Sequence, residues 1–251
     1  MLGIGYIGLY YSRGGTLKFN LFDLGYGLRL VRQSFWLMLS TIASVIYLKI
    51  DQVMLASMKS DAAVGIYAVA VRLSEVWFFF PTAFAVAVFP VLLKTRKSVQ
   101  NRYQQQLQIV CDVLLYSAIA LTFCIVIVAP YFVNFLFGEA YSDSASVLSI
   151  HVLGLAFVFM RALVSKWLIA ESLMRFSLWS EGLGAIINVA LNIALIPTYS
   201  YWGAAWATVI SYLFSCYLSF WLFKETRPIA KVMTRSIFLP FNWHKPYRRF
   251  A

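Results

Sequence analysis

Ionisable and amide side chains set in apolar sequence are the ones that could do chemistry in this chain. Lys49 and Asp51 interrupt VIYLKIDQVMLAS (45–57), Arg72 and Glu75 interrupt AVRLSEVWFFFP (70–81), and Arg161 interrupts GLAFVFMRALVSKW (154–167). Glu181, Asn188 and Asn192 do the same in SEGLGAIINVALNIALIP (180–197). A carboxylate in such company can take up and release a proton or a small cation. A guanidinium can hold an anionic group, and an amide can bond a hydroxyl. Motifs for covalent chemistry do not accompany them: there is no P-loop, HExxH, GxSxG or Cys/His cluster. Cys111, Cys124 and Cys216 lie in apolar runs without metal-ligand spacing and read as small hydrophobes. The chain is not expected to be an enzyme, and no cofactor or metal site is expected.

Spacing assigns each polar residue a helical face. Asp51 shares one with Tyr47, Ser44 and Ser40, a polar stripe that would line a cavity; the alternative is an interfacial residue capping the next turn. Lys49 points about 200° away and is expected to snorkel outward. Arg72 and Glu75, three residues apart, can meet on one face as a pair. They mark either a substrate or proton pathway or a structural ion pair. Arg161 has no acid within a turn, so its counter-charge must come from another helix or from an anionic ligand. Glu181, Asn188 and Asn192 fall within about 40° of one another and could join helices or meet sugar hydroxyls. Asp112, Lys166 and His151 read as interfacial, and Gly203, Ala207 and Ser211 as a close-packing edge.

The elements that carry these residues must be membrane spans. Of 251 residues, 61% are apolar and only 12% charged, with a mean hydropathy of +0.75. A soluble domain shows about a quarter charged residues. The strand alternation of a membrane barrel is missing. The expected class is an all-α polytopic membrane protein, with six spans near 33–57, 64–93, 107–130, 145–170, 177–197 and 203–223. The second span contains Pro81, which predicts a tilt or kink. Residues 1–11 read as the end of a preceding helix, 12–32 as a basic linker, and 224–251 as a basic tail. That tail is expected either to lie on the inner leaflet or to be disordered.

Basic residues orient the spans. Segments 12–32, 94–106, 171–176 and 224–251 carry 16 of the 21 Lys and Arg, whereas the opposite loops carry only Lys59. This bias predicts cytoplasmic N- and C-termini. It also accounts for the net charge of +11 without any nucleic-acid partner.

Three segments carry a family resemblance. IYLKIDQVMLASMKSDAAVGIYAVAVRLSEVWFFFPTAFAVAVFPVLL resembles the seventh and eighth helices of Wzx-type oligosaccharide flippases, of the superfamily that includes MATE exporters. FGEAYSDSASVLSIHVLG resembles their outer loop and following helix, and NVALNIALIPTYSYWGAAWATVISY their last helix pair. The resemblance implies the six-helix C-terminal lobe of a MATE-like transporter. Two such lobes would surround a cavity that opens alternately to each side of the bacterial inner membrane. It implies transport of undecaprenyl-pyrophosphate-linked oligosaccharide for O-antigen, capsule or exopolysaccharide synthesis. The alternatives are a small-molecule exporter lobe or an inactive fragment. Arg72 and Arg161 would suit the pyrophosphate, Trp77 a sugar ring, and Asn188 and Asn192 sugar hydroxyls. Asp51, Glu75 and Glu181 would serve ion coupling. Expected partners are the lipid-linked oligosaccharide, membrane lipids, and either a missing N-terminal lobe or a second copy.

Overall fold

The computed structural model describes residues 24–98 and 100–238. The proposed helix remnant at 1–11, most of the 12–32 linker and the end of the tail (239–251) lie outside the described residues. The chain divides into two compact units, Met1–Phe35 and Trp36–Ala251. Described residues of the first are helical, and the polar clusters of the membrane region all belong to the second.

Long apolar runs without water to satisfy their backbone become helices, and the described residues are helical nearly throughout. In order they are α1 Leu24–Met58, α2 Asp61–Glu75, α3 Phe79–Ser98, α4 Gln100–Phe137, α5 Ser142–His151, α6 Leu155–Ala170, α7 Arg175–Leu213, α8 Ser219–Leu222 and α9 Arg227–Phe238. Five stretches are long and apolar enough to cross a membrane: Ser34–Met58, Asp61–Arg96, Arg102–Phe137, Glu139–Ala170 and Arg175–Leu222. The last has 48 residues, about twice what a ~30 Å layer needs.

Ser200 divides that stretch with non-helical angles (φ 51°, ψ −131°). The chain doubles back there. A Cβ on Gly203 would lie 2.5 Å from the Leu195 carbonyl oxygen, whereas eight residues of straight helix would separate them by ~12 Å. Six spans result among the described residues, as the sequence predicts, and the fold is an all-α six-helix bundle.

Two spans are interrupted part-way. In the second, α2 ends at Glu75, and a 3-10 turn at Val76–Phe78 leads into α3. Pro81, which has no N–H for the Trp77 carbonyl, lies just beyond this turn. In the fourth, a 3-10 turn at Val152–Gly154 separates α5 from α6. A Cβ on Gly154 would stand 2.6 Å from the Tyr212 ring, so the small residue makes room for the sixth span.

The fourth span is the central post: 61% of its most apolar window is buried, against 12–22% for the other stretches. Its Val147, Leu155, Phe159, Met160 and Leu163 pack with Cys111 and Leu114 of α4. Outward positions such as Phe123, Tyr131 and Phe135 are exposed and apolar.

The start of the tail departs from expectation. α9 is docked on the lobe, with Ile229, Ala230, Val232, Met233 and Ser236 buried. Gln108 Nε2 donates to the Val232 carbonyl (3.2 Å), and Tyr116 Oη donates to the Ser236 carbonyl (3.0 Å). Ser236 Oγ donates to Asp112 Oδ1 at 2.5 Å. Asp112 is therefore buried beneath α9 and not an exposed interfacial acid.

Glycine tests the packing. Gly203→Val should destabilise the lobe by about 1–3 kcal/mol, because the backbone oxygen it meets cannot step aside. Gly182→Ala, with nothing within 4 Å of its Cβ, should be neutral or stabilise by about 0.5–1 kcal/mol. Reversible SDS unfolding of the purified chain checks both.

Candidate functional site

Asp51 accepts three side-chain hydrogen bonds. It is 2% exposed and takes donors from three other spans. Tyr67 Oη of α2 donates to Oδ2 at 2.6 Å, and Thr208 Oγ1 of the sixth span donates to the same oxygen at 2.5 Å. Asn192 Nδ2 of the fifth span donates to Oδ1 at 2.7 Å and also to Asn188 Oδ1 at 3.0 Å. Asn188 Nδ2 reaches Thr208 Oγ1 at 3.5 Å. Asn192 Oδ1 is buried with no partner. Among the described residues no Lys or Arg pairs with Asp51. The cluster is thus one carboxylate, amide and hydroxyl oxygens, and no balancing cation.

Hairpin register builds this cluster. α1 and α2 are joined by a short turn, in which Ser60 Oγ accepts from the Ala63 N–H at 3.3 Å. Asp51 and Tyr67 lie a similar number of residues on either side of that turn. Asn192 and Thr208 lie eight residues before and after Ser200. Close approach of the last two spans is enforced at Gly184, where a Cβ would stand 2.6 Å from Ser215 Cβ.

A second cluster surrounds Arg161. Its Nε and Nη2 both donate to Glu181 Oε1, at 3.2 and 2.9 Å. Nη2 also donates to Ser177 Oγ at 2.8 Å, and Ser177 Oγ lies 2.9 Å from Ser40 Oγ. The guanidinium stands 5.2 Å from the Phe220 ring centre. Arg161 Nη1 and Glu181 Oε2 are buried without a hydrogen-bond partner. The counter-charge foreseen for Arg161 is thus Glu181, on another helix. Either expected role, anion binding or ion coupling, would require this pair to part.

The third arrangement is open. Glu75 does not pair with Arg72. Both of its oxygens accept from Lys49 Nζ at 3.2 Å, so Lys49 does not snorkel away. Arg72 is exposed and makes no ion pair among the described residues. Next to Glu75, Ser74 Oγ meets His151 Nδ1 at 3.0 Å, placing His151 inside the lobe, not at an interface. Trp77 faces elsewhere. It lines an apolar groove of about 300 Å³ with Leu73, Val76, Leu121 and Phe132, which suits hydrocarbon better than a sugar.

Glu181, Asn188 and Asn192 share a buried face as the spacing predicts, yet they serve two clusters: Glu181 meets Arg161, and the two asparagines meet Asp51. Of the predicted stripe, Ser40 is buried and bonded; the side chain of Tyr47 is not among those described. Sequence reasoning passes over Tyr67, Thr208 and Ser177, and turns Lys49 away from any site. Counting outward from each turn would find the first two, since residues equidistant from a hairpin turn come level.

With this geometry in place, the likenesses to known proteins fall into line. Residues 1–96 match the family model described as polysaccharide biosynthesis protein. The fold is similar to the solved structure of the lipid II flippase MurJ in an inward closed conformation, with a TM-score of 0.61 and 18% identity. That likeness covers 93% of this chain and 52% of the other, so the chain spans about half the length of the protein it matches. No curated protein matches the chain. The family match over residues 1–96 and the shared fold agree with the resemblance to polysaccharide flippases.

The closed Arg161 cluster makes a stability prediction. Arg161→Ala should cost about 3–5 kcal/mol by leaving Glu181 buried and unpaired. Replacing both by leucine should recover most of the loss. SDS unfolding of the single and double variants measures the difference.

Proposed function

We propose that this chain is one lobe of a flippase that moves undecaprenyl-pyrophosphate-linked oligosaccharide across the bacterial inner membrane, and that a cation bound and released at Asp51 drives it. The observation that carries the reading is the Asp51 cluster. A carboxylate kept in the membrane interior costs at least ~2.5–3.5 kcal/mol on insertion scales. Here it gathers donors from three other spans and leaves its charge unbalanced. A proton or small monovalent cation is what such a group lacks, and Asn192 Oδ1 is an unused oxygen beside it.

Binding at Asp51 can reach the rest of the lobe because its partners sit on α1, α2 and the last hairpin. A cation that neutralises Asp51 weakens the hold of Tyr67, Thr208 and Asn192 on it. It therefore biases how those spans pack, which is the differential interaction an ion needs in order to shift a conformational equilibrium. The carried headgroup binds elsewhere, at the exposed Arg72, in a cavity completed by an N-terminal lobe or a second copy. The bias of basic residues among the loops supports cytoplasmic termini, and the oligosaccharide feeds O-antigen, capsule or exopolysaccharide synthesis.

A second reading, a small-molecule exporter lobe of MATE type, draws support from the neutralisation of Arg161 by Glu181, which removes one cation from the proposed anion site. Neither reading involves covalent chemistry.

Complementation of a flippase-null strain, by the chain alone and with an added N-terminal lobe, tests the assignment. Asp51→Asn should lower surface polysaccharide by about tenfold or more at unchanged membrane abundance, and Arg72→Ala should do likewise. Undiminished polysaccharide in Asp51→Asn would remove Asp51 from the mechanism. Drug extrusion without complementation would favour the exporter.

A further inference from the structure

We infer that Lys49 is a second anion-binding cation beside Arg72, held in reserve by Glu75 and transferred to a diphosphate group when one enters. This rests on the flippase reading and adds to it the residue that takes the place left by Arg161.

Depth is the first argument. Lys49 lies nine residues before the end of α1 at Met58, and Glu75 fourteen after the start of α2 at Asp61. At 1.5 Å per residue these are about 13 and 21 Å from the same membrane face, near the middle of a ~30 Å layer. Exposure is the second. The Lys49 side chain is 52% exposed and that of Glu75 25%. Mid-membrane charges turn toward protein or water, because facing lipid is costly. This surface therefore faces the cavity rather than hydrocarbon.

Looseness is the third argument. Lys49 stands 3.2 Å from each Glu75 oxygen, longer than the ~2.7–2.9 Å of a strong charge-assisted bond. The enclosed Arg161–Glu181 pair reaches 2.9 Å and Arg96–Glu171 2.7 Å. The ammonium is half free and can turn on its flexible stem. Arg72 lies one turn from Glu75 on the same helix and has no acid of its own among the described residues. Two cations thus stand on this stretch with one carboxylate, which Lys49 alone engages, leaving one positive charge over. A diphosphate bridge brings a negative charge on each phosphoryl group, enough to engage both cations and release Glu75.

The test is calorimetric titration of the chain, in phosphatidylcholine nanodiscs, with geranyl diphosphate and separately with inorganic pyrophosphate. Lys49→Ala should weaken geranyl diphosphate binding by about tenfold or more. Lys49→Arg should retain binding, and Glu75→Gln should tighten it several-fold by freeing the ammonium. Melting temperatures confirm folding. If the Lys49 and Glu75 variants bind like the parent while Arg72→Ala does not bind, the inference falls and the flippase reading stands. If the parent binds no diphosphate, the inference falls, while the flippase reading still stands or falls by complementation. Nanodiscs containing phosphatidylglycerol separate the sources. Full displacement of the probe by that lipid would make the site one for membrane phosphate and overturn the proposal; persistence of binding supports it. Stronger binding of geranyl diphosphate than of pyrophosphate supports a lipid-linked ligand, and the reverse order overturns it.

Discussion

A carboxylate inside a bilayer has no water to turn to, and Asp51 meets that constraint by drawing hydroxyls and an amide from α2 and both arms of the last hairpin. Each donor must arrive at the same depth. The short turn at Ser60 and the single-residue reversal at Ser200 bring them level, and small residues at Gly184 and Gly203 let the last two spans approach closely enough for the bonds to form. Within hydrocarbon the apolar contact between helices gives little net drive, so packing of small residues and interhelical bonds carry the association. Asp51 is where both converge.

The remaining charges of the membrane region divide by their access to water. Arg161 and Glu181 are enclosed and answer each other, with Ser177, Ser40 and Phe220 completing the surroundings. Such a pair is a weak source of stability but is costly to break, which makes it a device for keeping α1, the fourth and the fifth spans in one arrangement. Lys49 and Glu75 are more open and hold each other less firmly, with the exposed Arg72 one turn away. Asp51 lies between these extremes, enclosed like the first set and uncompensated like the second. The membrane region thus keeps an enclosed ion pair apart from an open one.

The sequence made the large features legible and concealed the pairings. Six apolar runs, the break before Pro81 and the shared face of Glu181, Asn188 and Asn192 follow from length, ring chemistry and the 3.6-residue period. Which acid meets which base does not. Arg72 and Glu75 are neighbours along one helix, but the ammonium of Lys49 arrives from another. Arg161 shows the converse: with no acid nearby in sequence, the need for a distant partner could be read, though not its identity. The docking of α9 was available in principle, because Ile229, Val232, Met233 and Ser236 follow the spacing of a helix face. The density of basic residues in the tail drew attention to lipid instead. The Asp51 cluster escaped because Tyr67 and Thr208 are ordinary residues until the turns place them level with it.

The reversal at Ser200 also has a mechanical meaning. A connection one residue long leaves no slack for the fifth and sixth spans to slide along each other or to spread at that end. They must swing together, as the two prongs of a staple do. Asn192 and Thr208, eight residues along either prong, would then grip and let go of Asp51 in one stroke, which turns two separate hydrogen-bonding events into a two-position latch.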